Sequence, residues 1–341
     1  MGILFHARPL LDTIFLMRRS IPARLLGTAQ LTRLAMAVGA VGDVWFTVLF
    51  SRGQEQYSFL PVYKLPIGIT LFCTALVATG IFTFGASLND LLDARHDSTF
   101  SPDRPIPSGR IKPATVGIVI AGALIAAILG AIPLGTGALI LTLIVAGGVL
   151  FYNATGKHVP AIGVIVIGVM TALHMLIPNY EMTFTLPIWL TMSHMVTITL
   201  AIHILERKRP YLSRRSYVFI LIGYAIWSTL ILLVGWMQGQ DAGWWPKNSS
   251  PLGVIWPILV VALFAWVARR KITGVSTQSG AEKLARYGAM WQCLYGAAWL
   301  VAVGIYDGAL LLGILAFLGF TGMTLIKEVG SLITAPPQYR I

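Results

Sequence analysis

Acidic side chains are scarce in this chain, 13 in 341 residues, yet Asp90, Asp93, Asp97 and Asp103 fall within fourteen positions of one another. The segment reads SLNDLLDARHDSTFSPDRPIPSGRI. On a helix, Asp90, Asp93 and Asp97 stand at i, i+3 and i+7, so three carboxylates share one face with Asn89 beside them. Hard oxygen ligands grouped in this way suit Mg²⁺, which keeps several waters and bridges to phosphate oxygens. Arg104 and Arg110, just downstream, can hold the same phosphates through charge-assisted hydrogen bonds. The plainer alternative is a charged helix end that halts a membrane span. Three aligned carboxylates with no cation on their own face repel one another, however, and need a cation or open water.

The elements that must position these groups are helices in lipid. The chain is 56% hydrophobic and 11% charged, with a mean hydropathy of +0.77, which no soluble surface tolerates. Apolar runs at 31–51, 65–88, 114–132, 136–152, 159–178, 184–205, 216–237, 252–268, 286–304 and 308–326 are continuous rather than alternating, so they read as about ten membrane-spanning helices. The expected fold class is all-α, a polytopic transmembrane bundle of about nine to ten helices. With the N-terminus placed inside, 22 of the 25 basic residues fall on one side, all but Arg52, Lys64 and Lys247. Both termini are therefore expected in the cytoplasm, and the formal charge of +12 belongs to membrane loops rather than to a nucleic-acid surface.

Residues 1–30 mix apolar side chains with Arg8, Asp12, Arg18 and Arg19, which reads as an interfacial segment rather than a signal peptide. Residues 31–327 form the expected membrane domain and 328–341 a cytoplasmic tail. The stretch 269–286 is expected as a sizeable polar loop, and 239–251 as the longest on the other face. Cys73 and Cys293 lie in apolar runs and read as small buried hydrophobes. His158, His174 and the ten tryptophans read as packing and interface residues. Asn248-Ser249-Ser250 is a glycosylation triplet of the kind chance supplies.

Asn89-Asp90-x-x-Asp93-x-x-x-Asp97 reproduces the NDxxDxxxD motif of the UbiA superfamily of intramembrane prenyltransferases. Arg104-Pro105-Ile106-Pro107-Ser108-Gly109-Arg110 resembles the RPxPSGR sequence that follows it there. The specific part covers about twenty-five residues, and the order of spans agrees over most of the chain. The resemblance implies a helical bundle around a lipid-open cavity and an Mg²⁺-dependent transfer of an isoprenyl chain from a polyprenyl diphosphate to an aromatic or other lipophilic acceptor. It implies Asp90, Asp93 and Asp97 as metal ligands. Asn89, Arg33, Arg104, Tyr152 and Lys157 become diphosphate contacts, and Asp90, Asp93 and Lys157 the catalytic set. Tyr152 and Lys157 resemble the family's tyrosine and lysine on the second cytoplasmic loop, one residue further apart than usual; the alternative for Lys157 is an ordinary positive-inside lysine. Arg33 resembles the family's arginine at the start of the first span. A bacterial inner membrane fits the family and the loop charges.

The chain departs from the family where a second Asp-rich motif usually follows the sixth span. That loop reads LAIHILERKRPYLSRRS, with Glu206 its only acid among Arg207, Lys208, Arg209, Arg214 and Arg215. The basic cluster could bind diphosphate in place of a second metal, or Glu206 could suffice. The chain could instead be an inactive subunit of a larger membrane complex that holds lipid or quinone. His203 and Glu206 lie at i and i+3, a spacing open to a transition metal but more often a hydrogen-bonded couple, and His194 lies nearly three turns earlier. Asp43, inside the first span, either faces the cavity or hydrogen-bonds another helix, because a lipid-facing charge there costs about 2.5–3.5 kcal/mol. A transporter is the third class, with intramembrane charge limited essentially to Asp43 and no repeated broken-helix pattern.

Overall fold

In the computed structural model, the described residues are 34–100, 102, 104–207, 210–239, 244–247 and 249–334. Ten helices of sixteen residues or more follow one another: α1 Leu34–Arg52, α2 Ile67–Phe100, α3 Pro113–Ala131, α4 Thr136–Ala154, α5 Pro160–Met175, α6 Leu186–Leu205, α7 Arg214–Gly239, α8 Ile255–Ile272, α9 Thr277–Ala302 and α10 Tyr306–Thr334. Each coincides with one of the ten apolar runs. Among the described residues seven helices are long and apolar enough to cross a membrane, and α5 is a shorter apolar helix. This is an all-α integral membrane protein.

Helix boundaries depart from the apolar runs where polar residues also favour helix. The α2 helix continues a dozen residues past Leu88, so the Asp motif is built on a rigid rod anchored in the bundle. The expected loop over 269–286 shrinks to a few residues. The α8 helix runs to Ile272, Gly274 turns the chain at φ 75°, and the Ser276 side chain accepts from the Ser279 N–H at 3.3 Å to cap α9. Good helix formers in AEKLAR then carry the helix into the apolar run.

Six helices close a ring in the order α1, α2, α4, α5, α6, α9. The α3 helix packs outside α2, α7 outside α5 and α6, α8 outside α9, and α10 outside α1 and α9. The outer helices leave Phe219, Leu221, Met237, Ile258 and Phe317 exposed, as side chains solvated by lipid would be.

Close helix pairs rest on glycine, as expected where no hydrophobic effect pulls helices together in lipid. A Cβ on Gly80 would stand 2.7 Å from the Ala123 carbonyl oxygen, and one on Gly130 would stand 2.6 Å from that of Cys73, so α2 and α3 touch backbone to backbone. Gly80→Val is therefore expected to destabilise the bundle by about 1–3 kcal/mol, as overpacking does, read as a lower thermal midpoint in detergent. Gly117→Val, at a site open to lipid, is expected to leave the midpoint unchanged.

At the end of the bundle opposite the Asp motif, an aromatic group closes the interior. Phe50 and Phe184 have ring centroids 5.1 Å apart, Phe184 and Trp299 meet edge to face at 5.3 Å, and Trp245 packs on both Phe184 and Trp299. Phe46 stacks on Phe50 at 5.9 Å. Such pairs contribute about 0.5–1.5 kcal/mol each beyond their buried area.

Candidate active site at the end of the second helix

The last three turns of α2 bring Asn89, Asp90, Asp93 and Asp97 to the mouth of the ring. Asp90 and Asp97 are buried, 7% and 5% exposed, whereas the Asp93 side chain keeps 30% of its surface. The aligned carboxylates lack cations on their own face, and two neighbouring segments supply them.

The first is the loop after α2. Arg104 Nη1 donates to Asp97 Oδ2 at 2.7 Å and lies 3.8 Å from Asp90 Oδ1. The RPIPSGR sequence explains how it gets there. The Ser108 N–H and hydroxyl both donate to the Arg104 carbonyl, Gly109 takes φ 73°, and the Ile111 N–H closes onto the Pro105 carbonyl at 3.0 Å. Ile106 and Ile111 then plug into a small core with Val116, against Leu91 and Ala94 of α2. The loop thus folds back over the helix that precedes it, and its first residue lands on the carboxylates. Arg110 Nε donates to Ser108 Oγ at 2.9 Å, bracing the turn.

The second is the turn Gly156–His158 after α4. Lys157 Nζ donates to Asp93 Oδ1 at 2.6 Å and to Asn89 Oδ1 at 3.3 Å, with only 14% of its side chain exposed. Lys157 therefore reaches into the motif rather than lying on a loop surface. Asn153, buried on α4, ties this turn to α2 by donating to the carbonyls of Val149 at 2.9 Å and Gly85 at 3.4 Å. In the sequence Asn153 is marked only as an amide one turn before Lys157 at the end of an apolar run. Tyr152 packs beside Gly163 of α5.

Other candidates are placed elsewhere. Arg33 lies outside the described residues. Asp43 is 2% exposed on α1, inside the ring. His203 meets the Pro210 carbonyl oxygen at 3.2 Å, and Glu206 caps α6. Among the described residues no three His, Cys, Asp or Glu side chains converge as a metal cage. Asp90 and Asp93, one turn apart at the mouth of the ring, are hard oxygen donors of the kind that could hold a hydrated Mg²⁺.

Residues 44–294 match the model of the UbiA prenyltransferase family. The chain belongs to that family. Its UbiA region contains both cation-bearing segments and the whole Asp motif. Digeranylgeranylglyceryl phosphate synthase of Methanothrix thermoacetophila is 35% identical over 108 residues, 30% of this chain and 38% of that one. The protein of the same name from Methanosarcina barkeri is 39% identical over 70 residues, 20% of this chain and 22% of that one. This UbiA chain thus matches well under half the length of either relative. A solved structure described as giving structural and mechanistic insights into digeranylgeranylglyceryl phosphate synthase in membranes superposes with a TM-score of 0.50 at 17% identity, covering 82% of this chain and 98% of that one, a likeness of fold.

Proposed function

We propose that this UbiA-family protein is an integral membrane prenyltransferase that takes an isoprenyl chain from its diphosphate and passes it to a lipophilic acceptor. The observation that carries the reading is the placement of Lys157 and Arg104 on the carboxylates of Asp93 and Asp97, which puts cations and metal-type ligands at one mouth of an apolar ring. Among acceptors, the names of the two relatives favour a glyceryl phosphate lipid, and those of the donor a geranylgeranyl tail. Residues 31–327 constitute the membrane domain, with the Asp motif facing the cytoplasm on the strength of the basic-residue asymmetry.

In this reading Asp90 and Asp93 hold Mg²⁺, which when bound neutralises the diphosphate as it leaves. Lys157 and Asn89 orient that leaving group by hydrogen bonds, and Arg104 adds a fixed positive charge braced by Asp97. The apolar ring takes the tail and excludes bulk water from the allylic carbon as it gains positive charge, so the acceptor captures it before hydrolysis does. The loop after α6 offers Glu206 and a run of basic residues, so positive charge there takes over what a second acidic motif does in relatives that have one.

The test is transfer by the purified protein in lipid, with Mg²⁺, a labelled isoprenyl diphosphate and a panel of aromatic and glyceryl phosphate acceptors. EDTA is expected to abolish product and added Mg²⁺ to restore it. Full turnover in EDTA would remove the metal from the account. A protein that co-purifies with lipid or quinone in a larger complex, and never releases diphosphate, would establish the inactive-subunit role instead.

A further inference from the structure

The α8 helix keeps two distinct faces. Inward, Pro257 is buried, the Val260 carbonyl accepts from Trp291 Nε1 at 3.1 Å, and the Phe264 and Trp291 rings meet with centroids 5.3 Å apart. Lys271, further along the same face, sets its Nζ 5.3 Å from the centre of the Tyr287 ring on α9. Outward, Ile255, Leu259, Leu263 and Trp266 are exposed along one stripe. Arg269, Arg270 and Thr273 continue that stripe through the last turn, at i+3, i+4 and i+7 from Trp266. Trp299, near the end of α9, belongs to the aromatic group that closes the interior, so α8 ends and α9 begins at the end of the bundle that carries the Asp motif.

Where the apolar stripe gives way to polar residues, Trp266, Arg269, Arg270 and Thr273 line a cavity of about 460 Å³. The Arg270 guanidinium lies over the Trp266 ring, 4.4 Å from its centre, so the indole holds this cation against the cavity wall. The Thr273 hydroxyl is spent within the helix, donating to the Arg269 carbonyl at 2.6 Å. Neighbouring cations are engaged elsewhere, Lys271 on Tyr287 and Arg286 on Glu282 at 3.3 Å. Among the described residues no carboxylate pairs with Arg269 or Arg270. Charge that served topology alone would need neither the indole nor the cavity.

The ligand that fits has two properties. It is anionic, because two guanidinium groups without a carboxylate match a phosphate by charge-assisted, fork-shaped hydrogen bonding. It is also amphipathic, because the cavity stands at the end of an apolar stripe that faces lipid. From Leu259 to Arg270 is eleven residues, about 16 Å at 1.5 Å per residue, and one leaflet of a hydrocarbon core of about 30 Å is about as deep. A phospholipid in its ordinary place in the leaflet therefore lays a chain on the stripe and brings its phosphate level with the two arginines. A zwitterionic headgroup carries its own cation to the same place, where both guanidinium groups repel it.

We propose that the cavity at the end of α8 binds one anionic phospholipid, its phosphate held by Arg269 and Arg270 beside Trp266 and one acyl chain lying on the outward stripe of the helix. This lipid is a resident of the outer wall and not a substrate, so the site is independent of the prenyltransferase reading.

The test titrates the purified protein in mild detergent with phosphatidylglycerol and with phosphatidylcholine of the same chains, counting bound lipid by native mass spectrometry and following the thermal midpoint. Wild type is expected to hold one phosphatidylglycerol about tenfold more tightly than phosphatidylcholine, and to gain thermal midpoint as it binds. Arg269→Gln combined with Arg270→Gln is expected to weaken that phosphatidylglycerol about thirtyfold and to leave the lipid-free midpoint and isoprenyl transfer unchanged. Lys271→Gln combined with Lys283→Gln removes the same charge from the same end of the bundle outside the cavity and is expected to leave the affinity within about threefold. Equal losses in the two double variants would reduce the effect to general attraction between basic loops and anionic lipid and overturn the site. Equal binding of the two lipids by wild type, or displacement of phosphatidylglycerol by an equal concentration of inorganic phosphate, would overturn it as well.

Discussion

Asp90→Asn and Asp93→Asn are each expected to lower diphosphate release about 10²–10³-fold, the usual cost of removing one preorganised electrostatic group from an active site. The substitution is close to isosteric, and both side chains sit at the helix end rather than in the apolar core, so the bundle is expected to keep its thermal midpoint. Asp93→Asn removes the charge that Lys157 Nζ meets at 2.6 Å, together with one oxygen of the proposed metal pair. Asp97→Asn is expected to cost less. That carboxylate is 2.7 Å from Arg104, so part of its charge is already answered by the arginine. Equal losses at all three positions would instead make Asp97 a metal ligand of the same standing. Steady-state release of diphosphate from a single donor, with midpoints measured on the same preparations, separates the outcomes.

Lys157→Met is expected to lower kcat/KM for the donor about 10²-fold, with Lys157→Arg recovering part of it. Lys157 is an ammonium with most of its surface buried, joined to two residues of the Asp motif from a different helix pair. A lysine kept only for membrane topology would be insensitive to this exchange and would show no link to Asp93. The loss is expected in donor KM as well as in kcat, because in the proposed function the ammonium contacts the diphosphate in both ground and transition states. The double variant Lys157→Met with Asp93→Asn is expected to be less impaired than the product of the two singles, since the partners act as a unit.

The architecture was largely legible in the sequence because lipid allows so few solutions. Ten long apolar runs had to become ten helices, and they did. The Asp motif was legible because carboxylates are scarce in such a chain and their spacing puts them on one face. What escaped was everything set by contact between distant segments. Where Lys157 points depends on whether its turn packs against α2, and Asn153 ties the two together by bonding to Gly85, 68 residues away. The fold-back of Arg104 was written in its prolines and in Gly109, yet the reach to Asp97 depends on Ile106 and Ile111 finding their small core. The extension of α2 beyond Leu88, and of α9 upstream to Thr277, was hidden because hydropathy marks where lipid ends and not where a helix does. Asp43 was conspicuous as an intramembrane acid and His174 read as an interior packing residue, and both side chains are buried, 2% and 5% exposed.

One measurement bears most directly on the whole account: transfer of a labelled isoprenyl group by the purified protein, in lipid with Mg²⁺, comparing wild type with Asp93→Asn at matched folded concentration. The account predicts release of diphosphate and appearance of label in the lipophilic acceptor for wild type, and about 10²–10³-fold less of both for the variant. Equal transfer by the two proteins, or none by wild type with any donor or acceptor while the protein remains folded, would contradict it.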